Sequence, residues 1–113
     1  MVLPDIQPVL RQYLALGFER VEDGHPGCVG LRAGKTYIIL VSVALMEGDF
    51  RPKTVAPLVG STIPYIHVRS LAAAKDRLES SAIIIEEAKT GEGTLEAIVI
   101  QHGQFMILAE KLE

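Results

Sequence analysis

The sequence predicts an α+β fold of two βαβββ modules in tandem, with the first strand of the first module truncated. Three observations carry this reading. The chain has 113 residues, enough for one domain and too few for a second independent core. Two short stretches place apolar residues at helical spacing, while the remaining apolar residues cluster in β-branched runs bounded by glycine. The order of these stretches in the first half returns in the second.

The elements follow from the residues in turn. Asp5 is placed to offer its side-chain oxygen to an early backbone N–H of a first helix. Pro8 falls in the first turn, where its missing N–H does no harm. Ile6, Val9, Leu10, Tyr13 and Leu14 give the helical stripe, and Gly17 suits a left-handed stop. Residues 18–22 and 28–32 read as strands around the turn cluster Gly24, His25, Pro26 and Gly27. After Gly34, residues 36–45 read as a strand rich in isoleucine and valine. Residues 47–62 change character, mixing Pro52, Pro57, Gly48 and Gly60 with charges, and read as a connection. The pattern then restarts. Residues 63–69 alternate as a strand, and Ser70 caps a helix through Leu71, Ala74 and Leu78. Residues 82–88 form a strand, 90–93 a turn, and 95–101 with 104–110 a hairpin about Gly103. Module 1 therefore spans about 1–46, the linker about 47–62 and module 2 about 63–113.

Composition narrows the function classes. Hydrophobic residues make up 49% and charged residues 22%, which separates the chain from disordered segments. A net charge of −3 without a basic stripe argues against nucleic acid as a partner. One cysteine excludes both a disulfide framework and a zinc site of paired thiolates. The longest apolar run, from Tyr37 to Met46, has the length of a buried strand and not of a membrane span. Met1 to Ile6 lacks the basic and apolar regions of a signal peptide. The expectation is a cytoplasmic protein with no membrane partner.

Three patches carry a family resemblance. Tyr13-Leu14-Ala15-Leu16-Gly17-Phe18 resembles a tyrosine–x–x–leucine–glycine–phenylalanine stretch after a first helix. Thr90 to Glu96, with Gly93-Thr94-Leu95-Glu96, resembles a glycine–x–x–glutamate opening a penultimate strand. Gly103 to Glu110 resembles a final strand after a tight turn. In that order, and within the repeated βαβββ unit, they resemble the vicinal oxygen chelate superfamily, the group of glyoxalases, extradiol dioxygenases and bleomycin-resistance proteins.

The resemblance implies curved mixed sheets around a cleft, commonly in a homodimer, and in many members a divalent metal. Its ligand positions fall at Ile63 and Ile107 in the second half and, by aligning Gly34 with Gly103, at Ile38 in the first. The remaining position precedes Met1. Alkyl side chains offer no lone pair to a metal. A one-residue slip brings in Thr62, Pro64, Tyr37, Ile39, Met106 and Leu108, which make no ligand set either. The resemblance is therefore closest to the metal-free, bleomycin-resistance-like branch, and no cofactor is expected.

By strand alternation, Ile63 brings Tyr65, His67 and Arg69 toward such a cleft; Ile38 brings Thr36, Leu40 and Ser42; and Ile107 brings Phe105. These residues suit either a small-molecule site or a filled core. His67 is a candidate acid, base or hydrogen-bond donor, and Arg69 a candidate anion anchor or a solvated surface residue. His25 and His102 read as exposed loop residues, Cys28 as a small buried one, and Glu86, Glu87 and Glu92 as a solvated acidic face. Glu96 reads as a structural hydrogen-bonding group. Two functions follow as expectations, beside a structural or interaction module with a filled cavity and a functional dimer surface. One is a metal-free protein that binds, and so sequesters, a toxic or antibiotic-like small molecule in a dimer cleft. The other is a lyase or isomerase using His67. With no tryptophan and only three tyrosines and three phenylalanines, the chain has few rings on which a flat aromatic drug could stack.

Overall fold

The computed structural model describes every residue but Pro26, and for residues 22–25 the backbone without the side chains. The expected exposure of His25 thus lies outside the described residues. The chain divides into two compact units, one of Met1–Gly48 with Val55–Thr62 and one of Asp49–Thr54 with Ile63–Glu113. Among the described residues each unit holds one four-stranded mixed sheet with its helices. Among the described residues, no helix is long and apolar enough to cross a membrane.

The first unit runs β1 (Val2–Leu3), α1 (Gln7–Ala15), β2 (Glu19–His25), β3 (Cys28–Ala33), β4 (Thr36–Ser42) and α2 (Val43–Glu47). Its sheet order is β1-β4-β3-β2, with β1 parallel to β4 and the rest antiparallel. The opening strand has two residues, as the truncated pattern anticipated. Asp5 Oδ1 accepts the Gln7 N–H at 3.0 Å, and Gly17 ends the helical turn at φ +101°. Leu3, Ile6 and Leu10 bury against Val29, Leu31 and Leu40, with Tyr13 and Phe18 in edge-to-face contact beside them.

The apolar run 37–46 is not all strand. Ser42 adopts an extended conformation and its Oγ accepts the Leu45 N–H at 3.1 Å, capping α2. Ala44, Leu45, Met46 and Glu47 are good helix formers, and a short apolar run cannot distinguish a strand from a buried helix.

The second unit runs α3 (Pro52–Val55), β5 (Tyr65–Val68), α4 (Leu71–Asp76), β6 (Ile83–Lys89), β7 (Thr94–Gln101) and β8 (Gln104–Lys111). The sheet order β5-β8-β7-β6, with β5 parallel to β8, repeats that of the first unit. Ser70 Oγ accepts the Ala73 N–H at 3.1 Å, and Glu110 Oε1 reaches across to accept the Leu71 N–H at 2.7 Å. Two otherwise orphaned donors at the start of α4 are thereby satisfied. Leu71 is fully buried on Ala97, Val99 and Leu108. Strand β5 is shorter than residues 63–69, so Ile63 and Arg69 lie outside the ladder. Pro64 takes part only as an acceptor, from the Ile107 N–H at 2.9 Å.

The hairpins correct the internal alignment. Ala33 pairs with Thr36 and Gln101 with Gln104, so Gly34-Lys35 corresponds to His102-Gly103. Both His102 (φ +52°) and Gly103 (φ +72°) are left-handed, the type I′ pattern. In the first hairpin only Gly34 is, at φ +57°. The two glycines occupy different turn positions, so matching them slips the register by one and exchanges the faces. Ile39, not Ile38, corresponds to Ile107. Ile38 packs with Leu40 on the α1 side of its sheet, and Thr36 shares that parity. Tyr37, Ile39 and Val41 take the opposite face.

Leu71→Ala removes the side chain that seats α4 on its sheet. A loss of about 3 kcal/mol is expected, measured by urea denaturation of the two proteins side by side.

Candidate functional site

Packing against α4 fixes the parity of the second sheet. Val68, Leu95, Ala97, Val99, Met106 and Leu108 face the helix. Their strand neighbours face the other way, in cross-strand rows given by the register. One row runs Tyr65, Ile107, Ile98, Glu86 and the next His67, Ala109, Glu96, Ala88. Ile98, Ile107 and Ala109 are buried, while Tyr65 is half-buried and His67 exposed.

A directed hydrogen-bond chain crosses this apolar floor. Tyr65 Oη donates to Glu96 Oε2 at 2.5 Å, and Thr94 Oγ1 donates to the same oxygen at 2.8 Å. A hydroxyl carries one proton. Thr94 has used its own, so Thr90 is the donor in the 2.6 Å contact between the two threonine hydroxyls. The Thr94 N–H closes the loop onto Thr90 Oγ1 at 3.3 Å. Glu96 and Thr90 are each only 8% exposed, so the chain stands in a largely desolvated setting, where such bonds strengthen. The structural role expected for Glu96 is thereby given its partners. Tyr65 came into view by alternation alone. Thr90 and Thr94 had no signal, because a turn motif does not say which hydroxyl meets a carboxylate.

The His67 ring stands edge-on to Tyr65, with centroids 5.2 Å apart. Phe105 is half-buried and Ile107 buried on the same face. Arg69 is exposed beyond the end of β5. Thr36 and Ile38 do not join this group: they stand in the first unit on the α1 side of their sheet. Cys28 is half-buried rather than buried. His102 is exposed, as expected, with Nε2 2.9 Å from Glu79.

A second polar cluster lies where β6 meets the segment 49–54. Glu86 Oε1 accepts the Arg51 N–H at 3.1 Å, Arg51 Nε at 3.3 Å and Thr54 Oγ1 at 2.6 Å. Asp49 Oδ1 accepts the Gly91 N–H at 3.1 Å. Glu86 is therefore not part of a solvated acidic face. Its side chain is 15% exposed, whereas Glu87 points to the α4 side and meets Lys75 Nζ at 2.7 Å. Burial alone would raise the Glu86 carboxyl. The Thr54 hydroxyl and the Arg51 amide and guanidinium outweigh that and hold it below the ordinary glutamate range.

The positions at which the sequence resemblance would place metal ligands do not fit a metal. Ile107 and Ile63 carry no donor atom, and neither does Ile39, the corrected first-unit position. Among the described residues, no three His, Cys, Asp or Glu side chains converge.

No protein-family model matches the chain, and no curated protein sequence does. Among solved structures, a hypothetical protein from Bacillus halodurans is 20% identical at a TM-score of 0.63, covering 99% of this chain and 90% of its own. A glyoxalase/bleomycin resistance protein/dioxygenase from Nocardioides is 17% identical at 0.40, covering 100% of this chain and 80% of its own. A bleomycin-binding protein complexed with bleomycin is 17% identical at 0.36, covering 98% and 93%. The first match shows a shared fold. The other two, at TM-scores below 0.5, carry no argument.

Tyr65→Phe and Thr94→Val each remove one donor from the buried Glu96 carboxylate. Each is expected to cost about 1–3 kcal/mol in a urea titration, and the double variant is expected to cost more than the sum, since the remaining donor is the carboxylate's last. The Glu86 clamp has its own signature. A carboxyl held below its unfolded value contributes stability that is complete above the ordinary glutamate range and fades as pH falls through the folded value. Thermal unfolding of the wild type is thus expected to drop across the acid carboxylate range, and the drop to shrink in Glu86→Gln. Parallel pH profiles would contradict this.

Proposed function

We propose that this chain binds a small organic molecule on the second-sheet face carrying Tyr65, His67, Phe105 and Ile107, without a resident metal and as a homodimer. The observation that carries this reading is the Tyr65–Glu96–Thr94 chain, a polar group held in fixed geometry on a floor of buried Ile98 and Ile107. A mostly apolar surface with a few convergent polar groups is what small-molecule sites present. The sequence resemblance to the bleomycin-resistance-like branch points the same way, toward holding a toxic or antibiotic-like compound rather than converting it. The scarcity of aromatic rings favours a ligand other than a flat intercalating drug.

One observation favours a second reading, a lyase- or isomerase-type enzyme. His67 is exposed and its ring lies edge-on to Tyr65, so an imidazole packs on a tyrosine whose hydroxyl bonds a carboxylate. That is the placement a general acid or base needs.

A thermal-shift screen of metabolites and antibiotics against the full chain separates the readings. Ligand at about a hundred times its Kd stabilises by about 2.7 kcal/mol, a shift of several degrees. Hits are expected that remain chemically unchanged on prolonged incubation and lose affinity in Tyr65→Phe and His67→Ala. Conversion of a hit that His67→Ala abolishes establishes the enzyme instead. Hits indifferent to both variants move the site elsewhere.

A further inference from the structure

We infer that the ligand of this face is an organic cation, a primary ammonium or amidinium, received by the Glu96 carboxylate beside the Tyr65 ring. The inference rests on the proposed binding role and names its ligand class. Glu96 is a carboxylate with 8% exposure, and both of its hydrogen-bond donors are neutral hydroxyls. The ion pairs among the described residues are Arg51–Glu86 and Lys75–Glu87, so Glu96 has no cationic partner among them. Lys111, opposite Thr94 on β8, is exposed and does not reach it. Buried charges in proteins are ordinarily paired with an opposite charge.

The geometry says where such a charge would go. Tyr65 and Thr94 both donate to Oε2, and Oε1 takes none of the described hydrogen bonds. A hydroxyl pair on one oxygen fixes the carboxylate plane and leaves the other oxygen to a further donor. Ala109 and Ala88 flank Glu96 on the neighbouring strands, so its row is walled by methyl groups rather than by bulky side chains. His67 ends that row on β5, and the Tyr65 ring stands edge-on to it from the neighbouring row. A cation at Oε1 forms a charge-assisted hydrogen bond with a carboxylate already oriented by two hydroxyls. The residual exposure of Glu96 provides the approach.

The test uses small probes on the full chain, followed by amide chemical shifts. Benzylamine and benzamidine are the cations, benzyl alcohol the neutral isostere and benzoate the anion, with zinc chloride alone as a further arm. The cations are expected to bind and to shift the Tyr65, Glu96 and Ala109 amides. Benzyl alcohol is expected to bind at least about tenfold more weakly, and Glu96→Gln to erase the preference. Tyr65→Phe, which keeps the charge, is expected to weaken the cations only a few-fold, and it decides the matter if Glu96→Gln fails to fold. Equal binding of benzylamine and benzyl alcohol overturns the inference, as does cation binding unaltered in Glu96→Gln. Zinc shifting the same amides while the organic cations do not also overturns it, in favour of a metal. Benzoate or benzyl alcohol binding at Tyr65 and His67 in place of the cations leaves the binding role standing and removes only the charge assignment. If no probe shifts this face, the cation inference falls, and the binding role is judged by the wider screen.

Discussion

The seating of Leu71 on Ala97, Val99 and Leu108 decides which side of the second sheet is left for chemistry. Side chains alternate along a strand, so burying one set under α4 turns the other set outward in a fixed pattern. Tyr65, His67, Glu96 and Glu86 share a face for that reason alone. The same helix is tied down at its start by Ser70 and by Glu110 of β8, which bonds the Leu71 amide. A one-residue slip of β8 would lose this bond and turn Ile107 and Ala109 toward the helix. Register and helix position therefore enforce one another.

The two carboxylates on this face solve the cost of burial differently. Glu86 is met by a guanidinium, an amide and a hydroxyl from the segment 49–54, and becomes the point at which that segment joins the second unit. Among the described residues Glu96 is met only by hydroxyls, those of Tyr65 and of Thr94, the latter oriented by Thr90. The first is a finished structural contact. The second is a carboxylate with neutral donors and no cationic partner among the described residues, which is why the functional reading centres on it.

The repeat shows how far a pattern of glycines can be trusted. The order of elements in the two halves was legible because strand, helix and turn each leave a local signature. The register between the halves was not. Gly34 and Gly103 both adopt positive φ, but at different positions of their two-residue turns, and His102 takes the left-handed position that Gly34 fills in the first hairpin. Nothing in the residues announces that a histidine will do so. The consequence reached Ile38, which packs with Leu40 under α1, and Thr36, which shares their parity at the exposed end of β4.

The sequence by itself determined the two-module order, the short first strand, both Asp5 and Ser70 as sources of capping oxygens, and the Gly103 hairpin. All of these are local: a side chain reaching its own backbone, a period of two or 3.6, or the chemistry of one residue type. Only the tertiary structure decided the partners of Glu96 and Glu86, the end of β4 at the Ser42 cap, and the face on which Ile38 lies. Tyr65 and Glu96 are 31 residues apart and Arg51 and Glu86 are 35 apart. A contact across such a distance depends on strand order, parity and register together, and one residue of register is enough to reverse it.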